Sequence, residues 1–302
     1  MRHEAKKDTE FLTASDLTQN INFYLMEQNR NLNRVMEAET IKKNGASPKS
    51  LMSRGNFIIF FLLYLNLSII VVNAQNPVID MIFVQGGTFT MGCTPEQGND
   101  CDDDEKPAHK VTVSDFYIGK YEVTQAQWKA VMGNNPSGFK GDNLPVERVS
   151  WDDVQEFIRK LNAQTGKQYR LPTEAEWEFA ARGGNKSKGY KYSGSNTPGD
   201  VAWAWYDDNS GQRTHNVGTK SPNELGIYDM SGNVFEWCNN YRGDYSSNVQ
   251  NNPKGPSTGS ARVVRGGSWD YNTRYLRVSH RFNVTPAGRN SLFGFRLVLS
   301  SK

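Results

Sequence analysis

"RVVRGGSWDYNTRYLRVSHRF", Arg262 to Phe282, is the stretch on which the reading of this chain turns. It opens on alternating apolar and basic residues, breaks at a Gly-Gly pair, and continues dense in Arg and aromatics without a cysteine. Gly-Gly marks a tight turn. Aromatic rings and guanidinium groups around irregular chain supply large rigid contacts and planar hydrogen-bond donors. The pattern fits either a reaction site with its nucleophile missing or a surface made for binding.

Working outward, "GFRLVLS" (Gly294–Ser300) reads as a closing strand. Upstream, from Gly183 on, turn signals dominate in "KYSGSNTPGD", "DDNSGQRT" and "NNPKGPSTGS", which predicts sparse regular structure. All seven Trp fall between Trp128 and Trp269, where they can fix coil by packing.

Three helices are predicted before that. In "TQAQWKAVMG", Thr124 caps with Gln127 three positions on, Trp128, Val131 and Met132 share a face, and Gly133 ends the run. "SWDDVQEFIRKLNAQTGK" repeats the design, with Ser150 as cap, Val154, Phe157, Ile158 and Leu161 inward, and Gly166 as stop. "LPTEAEWEFAARGG" pairs Thr173 with Glu176 in a capping box and turns Trp177, Ala180 and Ala181 inward. Earlier still, "MIFVQGGTFTMG" reads as strand, turn and strand about Gly86-Gly87, and "HKVTVSDFYIGKYEVT" continues that alternation. No internal repeat or low-complexity tract interrupts the chain.

With 302 residues, 37% hydrophobic and 12% aromatic, the chain can bury a core and is not a disordered protein. A net charge of +3 with scattered basic residues gives no phosphate-tracking stripe, which argues against a nucleic-acid partner. The long apolar run, Phe57 to Val72, is short for a bilayer span of roughly 20 residues. Arg54 before it, with the small residues Val72 and Ala74 at its end, reads as a signal peptide cleaved after Ala74.

The polar segment 1–51 is then a wrongly assigned start, with translation from Met52, or the short cytoplasmic tail of a signal anchor. The resulting order is leader or anchor 52–74, linker 75–80 and one domain 81–300. The chain is expected to be exported, to the periplasm or cell surface, and to touch the membrane only through residues 57–72. Cys93 and Cys101 share one polar loop, "MGCTPEQGNDCDDDE", so their proximity favours that disulfide among the three single bridges that three cysteines allow. Cys238, after an aromatic motif, is expected to be buried.

Six pieces in order, "FVQGGTFTMG", "YEVTQAQW", "LPTEAEWEFAAR", "LGIYDMSGNVFEW", "RVVRGGSW" and "GFRLV", together resemble the sulfatase-modifying-factor family, whose founding members are formylglycine-generating enzymes. The resemblance runs from about Met81 to Val298. It implies an irregular, coil-rich α+β domain related to C-type lectins. In those enzymes two cysteines hold copper, three residues after the serine of "GGS" and five further on. Here these positions carry Tyr271 and Leu276, neither of which can act as a thiolate ligand for Cu(I), so copper is not expected. Another group with this fold uses a histidine cluster for iron, but His3, His109, His215 and His280 are isolated.

The resemblance also implies a structural calcium ion held by the side chains of Asp229 and Glu236 and the carbonyls of Gly232 and Val234. Asp207, Asp208 and Asn209 are candidates for a second, less regular calcium site. "CDDDE", Cys101 to Glu105, reads as a solvated acidic loop.

Arg277, Arg281 and Arg289 read first as ties that hold coil together. A sharper reading comes from proteins diversified by retroelements, which carry similar "RGGSW" and "GFRL" borders around an exposed ligand-binding face. On that reading Asp270, Tyr271, Asn272, His280, Phe282, Asn283, Val284, Asn290, Ser291 and Leu292 are the contacts, a mixture suited to adaptable recognition. The expectation is an exported, non-catalytic binding or assembly module for a protein or cell-envelope partner. The alternatives are an oxidoreductase with non-standard residues, a ligand binder with a diversified segment, and a stalk-like envelope component.

Overall fold

Side-chain caps fix where the helices begin. Thr124, Ser150 and Thr173 each accept a hydrogen bond from the backbone N–H three residues on, and Gln127, Asp153 and Glu176 each reach back, which closes three capping boxes. Each box stabilises its helix by about 1 kcal/mol. The helices are α1 (Gln125–Met132), α2 (Trp151–Thr165), α3 (Glu174–Ala181) and the single turn α4 (Pro198–Val201). Gly133 and Gly166 end α1 and α2 in the left-handed conformation that glycine adopts without strain. The computed structural model describes residues 77–205 and 209–301. The apolar run 57–72, and with it the leader, anchor and start-site expectations, lies outside the described residues, as do Asp207 and Asp208.

Eleven short strands are described: β1 (Met81–Val84), β2 (Gly87–Met91), β3 (His109–Val113), β4 (Phe116–Gly119), β5 (Tyr169–Arg170), β6 (Phe235–Tyr241), β7 (Gln250–Asn251), β8 (Arg262–Arg265), β9 (Arg281–Val284), β10 (Phe293–Gly294) and β11 (Val298–Ser300). They form three sheets, ordered β1-β4-β11-β5, β10-β6-β8-β9 and β2-β3-β7. The strands on either side of Gly86-Gly87 do not pair with each other. β1 joins β4 and β2 joins β3, so this turn passes the chain between sheets. Its glycines are required by space, since a Cβ on Gly86 would lie 2.4 Å from the Val113 carbonyl oxygen.

Regular structure in the second half is sparse, as its turn signals predict, and consists mainly of short strands. The longest strand, β6, starts in the middle of "SGNVFEW" and pairs with β8 and β10. Two apolar clusters flank this sheet. One gathers Trp177, Phe179, Met230 and Val263. The other gathers Trp128, Phe157, Trp237 and Phe295, with the Trp128 and Phe157 rings stacked at 5.2 Å. Trp205 departs from the packing expected of the tryptophans, being 56% exposed.

Every residue of α3 is buried, its three glutamates included. Buried carboxylates need partners, and arginines from both near and distant chain supply them. Arg265 reaches Glu178 at 2.5 Å and Glu174 at 3.2 Å, Arg281 pairs with Glu174 at 2.6 Å, and Arg182 pairs with Glu178 at 2.8 Å. These ties cross 87 to 107 residues of sequence where an interior pair is formed with Arg265 or Arg281, and they hold the coil to the helix.

Candidate functional site

The C-terminal segment leaves β8 through Gly266 and Gly267, both at positive φ. A Cβ on Gly267 would meet Leu276 Cδ2 at 2.5 Å and the Tyr275 carbonyl oxygen at 2.8 Å, so only glycine lets the chain double back this closely. The two positions that would carry copper ligands lie just beyond. Tyr271 packs edge-on against Phe235 at 5.0 Å and Tyr275 at 5.0 Å. Leu276 is fully buried with Tyr192, Val201, Ala202 and Ala204. Each position fills a different apolar cluster, and neither presents a sulfur. Cys238 is fully buried, and burial pushes its thiol well above the usual range, so it supplies no thiolate. Cys93 and Cys101 are joined by a disulfide.

The proposed contact residues divide by exposure. Asp270, Asn272, Asn283 and Asn290 face solvent, while Tyr271, Phe282, Val284, Ser291 and Leu292 are half-buried. His280 must be corrected: it is 2% exposed, wedged edge-on against Tyr275 at 5.0 Å, and is no surface contact. Burial brings its ring down to a pKa of about 3, so it is neutral and its 3.9 Å approach to Asp102 is not an ion pair. The three arginines do hold coil: Arg277 pairs with Glu105, Arg281 with Glu174, and the more exposed Arg289 with Asp153 at 2.7 Å. His215 stacks on Trp203 at 3.8 Å and His109 is buried beside Tyr245.

The acidic turn is more crowded than its sequence suggests. Both oxygens of Glu236 accept from Arg296 at 2.6 Å, and Trp177 Nε1 donates to one of them at 2.6 Å. Asp229, left-handed at φ 59°, accepts from Gly218 N–H, and burial raises its carboxyl to about 6. Glu122 stands beside them, fully buried, accepting from Asn233 Nδ2 at 2.6 Å and Val234 N–H at 3.1 Å. Burial and then the neighbouring Asp229 and Glu236 carboxylates raise its pKa well above the usual value. Of the two side-chain groups in the calcium set, Asp229 has no ion-pair partner among the described residues, whereas Glu236 is committed to Arg296. A cation at this turn needs Glu236 to yield one of those bonds. Asn209 spends its side chain on Ala204 N–H and the Ala202 carbonyl, which closes a turn.

Sequence reading missed two residues that organise this region. Glu122 braces the Asn233–Val234 turn through two hydrogen bonds. Glu105, inside the run read as a solvated loop, is fully buried against Arg277 and Ser279. Its signal was an acid at the third position after Asp102, the spacing of the capping box that it forms. Asp102, Asp104 and Glu105 cluster, but each is paired to an arginine: Arg274, Arg242 and Arg277. A cleft of about 420 Å³ opens elsewhere, between Tyr241, Tyr245, Pro253 and His109, over the internally paired Glu174 and Arg281.

A family model described as the sulfatase-modifying factor enzyme 1-like domain matches residues 68–301. The chain is 36% identical over 274 residues to a chaperone protein LppX of Paenibacillus barcinonensis, covering 73% of this chain and 89% of that one. It is 31% identical over 279 residues to a formylglycine-generating enzyme of Streptomyces coelicolor, covering 70% and 86%. Among solved structures it is similar to Treponema denticola variable protein 1, with a TM-score of 0.67 and 34% identity over 76% of this chain and 98% of that one. PvdO from Pseudomonas aeruginosa gives a TM-score of 0.63 and 28% identity over 73% and 94%.

Proposed function

The chain belongs to the sulfatase-modifying factor enzyme 1-like family, and from that premise we propose that it is an exported binding or assembly module that uses the scaffold without the copper chemistry. The observation that carries this reading is the filling of the two copper-ligand positions: Tyr271 is built into an aromatic cluster and Leu276 into an aliphatic one. Soft sulfur ligands select Cu(I), and the one free cysteine, Cys238, is buried elsewhere. Fold alone assigns no activity.

The face carrying Asp270, Asn272, Asn283 and Asn290 is the proposed contact surface for a protein partner in the periplasm or at the cell surface, with residues 57–72 as leader or anchor. Short polar side chains on a rigid aromatic shelf suit adaptable recognition. Two similar proteins bear names that fit a non-catalytic role, a chaperone and a variable protein. Calcium is proposed as a structural ion at Asp229 and Glu236 with the Gly232 and Val234 carbonyls, pinning the turn before β6.

The test is a tagged chain with those four exposed residues changed to Ala, expressed beside the unaltered one. It is expected to keep its melting temperature and to lose the envelope protein that the unaltered chain retains on affinity purification. Equal retention by both would refute the assignment of the face. Stable co-purification with membrane proteins independent of it would favour a stalk-like role.

A further inference from the structure

The stretch Asn272–His280 has one 3-10 turn, Thr273–Leu276, and otherwise no regular structure of its own. Leu276 and Val278 are buried, and Ser231 and Arg265 bond the Leu276, Val278 and Ser279 carbonyls; the segment's side chains are held further by the loop Cys93–Glu105. Arg277 donates to both oxygens of Glu105, at 2.7 and 2.5 Å, and Ser279 Oγ joins the same carboxylate and Gln97 Oε1 at 3.0 Å. Arg274 pairs with Asp102, and Arg281 Nη1 donates to the Asp104 carbonyl at 2.9 Å. Arg277 Nη1 also lies 3.6 Å from Cys101 Sγ. At the loop's tip Asp100 pairs with Lys191 at 2.6 Å, and the Lys191 carbonyl accepts from Val278 N–H.

The two limbs of that loop have different anchors. Arg182 holds the first limb through Thr94, Glu96 and the Gly92 carbonyl. The second limb, Asp102 to Glu105, rests on the C-terminal segment. The limbs are tied by the Cys93–Cys101 bridge, by the Cys93 N–H bond to the Glu105 carbonyl, and through Ser279 Oγ, which bonds both Gln97 and Glu105. Both cysteines are partly exposed, so a reductant can reach them.

We propose that this cystine is a redox-sensitive lock on the binding segment: intact, it fixes the loop against Arg274–Arg281, and its reduction by a dithiol loosens that segment while the rest of the fold stands. In the step, a thiolate of the dithiol attacks one sulfur of the bridge and forms a mixed disulfide. Its second thiol resolves this, so two electrons pass to the protein, two protein thiols take up protons, and the reductant leaves as a disulfide. The consequence for binding rests on the reading of Asp270–Leu292 as the contact segment. The coupling itself does not.

Hydrogen exchange by mass spectrometry on the full folded chain, oxidised and then reduced with dithiothreitol, reads that coupling without any ligand. The reporters are the amides of Tyr275, Val278 and His280, each hydrogen-bonded in the oxidised structure, with α2 as reference. Protection at the reporters is expected to fall by about 10- to 100-fold, the scale of a short bridged loop, with α2 unchanged. Loss confined to residues 93–105, or loss shared with α2, would overturn the proposal. The C93S/C101S double variant should match the reduced protein, and because reduction is applied after folding, poor folding of that variant leaves the test intact.

Discussion

Arg277 and Glu105, 172 residues apart in sequence, meet in a two-pronged ion pair with both side chains fully shielded from water. Burial opposes the charge on Glu105, but the bonds from Arg277 and Ser279 outweigh it and lower its pKa. Breaking one side of such a pair leaves an uncompensated buried charge. Glu105→Gln is expected to destabilise the fold by roughly 3–5 kcal/mol, whereas Asn283→Ala on the surface should change stability by no more than about 0.5 kcal/mol. Urea unfolding of the two variants checks the contrast.

His280 makes stability pH-dependent. Its folded pKa of about 3 lies below the unfolded value of 6.5, so the unfolded chain takes up the proton first as pH falls. Stability is therefore full above 6.5 and is lost on acidification toward 3. Between pH 7.5 and 4.5 the loss from this group is about 2–3 kcal/mol. His280→Phe, which suits the aromatic neighbours Phe235 and Tyr275, should remove that part of the slope, read from urea midpoints at the two pH values.

Cys238 should be inert in the native protein. Its side chain is inaccessible and its thiol is held protonated by burial. A thiol-reactive dye is expected to label it only after denaturation, and labelling of the native chain would contradict this placement.

Calcium saturating the Asp229 turn at about a hundredfold excess over its Kd should add about 2.7 kcal/mol. That corresponds to roughly 5–10 °C in melting temperature for a domain of this size. Asp229→Asn should abolish the response to chelator. Identical melting with and without calcium would remove the ion from the account.

Local signals were the legible ones. Thr124 with Gln127 and Thr173 with Glu176 announced helix starts because a capping box is written within four residues. The inward faces of α2 followed from spacing alone. The six quoted pieces were enough to identify the family. What spacing could not show was pairing at long range. Glu174 and Glu178 are charged residues of a type usually exposed, yet both are buried because Arg265 and Arg281 arrive from the other end of the chain.

The same limit explains His280 and Glu105. Their residue types suggest surface, and only the folding of loop 93–105 onto the C-terminal segment encloses them. Strand β6 was not legible because its polar residues, Glu236 above all, mask an alternating pattern. The sheet accepts that acid only because Arg296 neutralises it. Tyr271 and Leu276 needed no structure to be recognised as non-ligands, but their burial in two separate clusters did.

The most direct test of the central claim is an anaerobic Cu(I) titration of residues 75–302, followed by an assay for aldehyde formation on a cysteine-containing sulfatase peptide. The account predicts no copper binding with thiolate character and no aldehyde. Tight copper binding with aldehyde product would contradict it and make this chain an oxidase with other ligands in place of the cysteine pair.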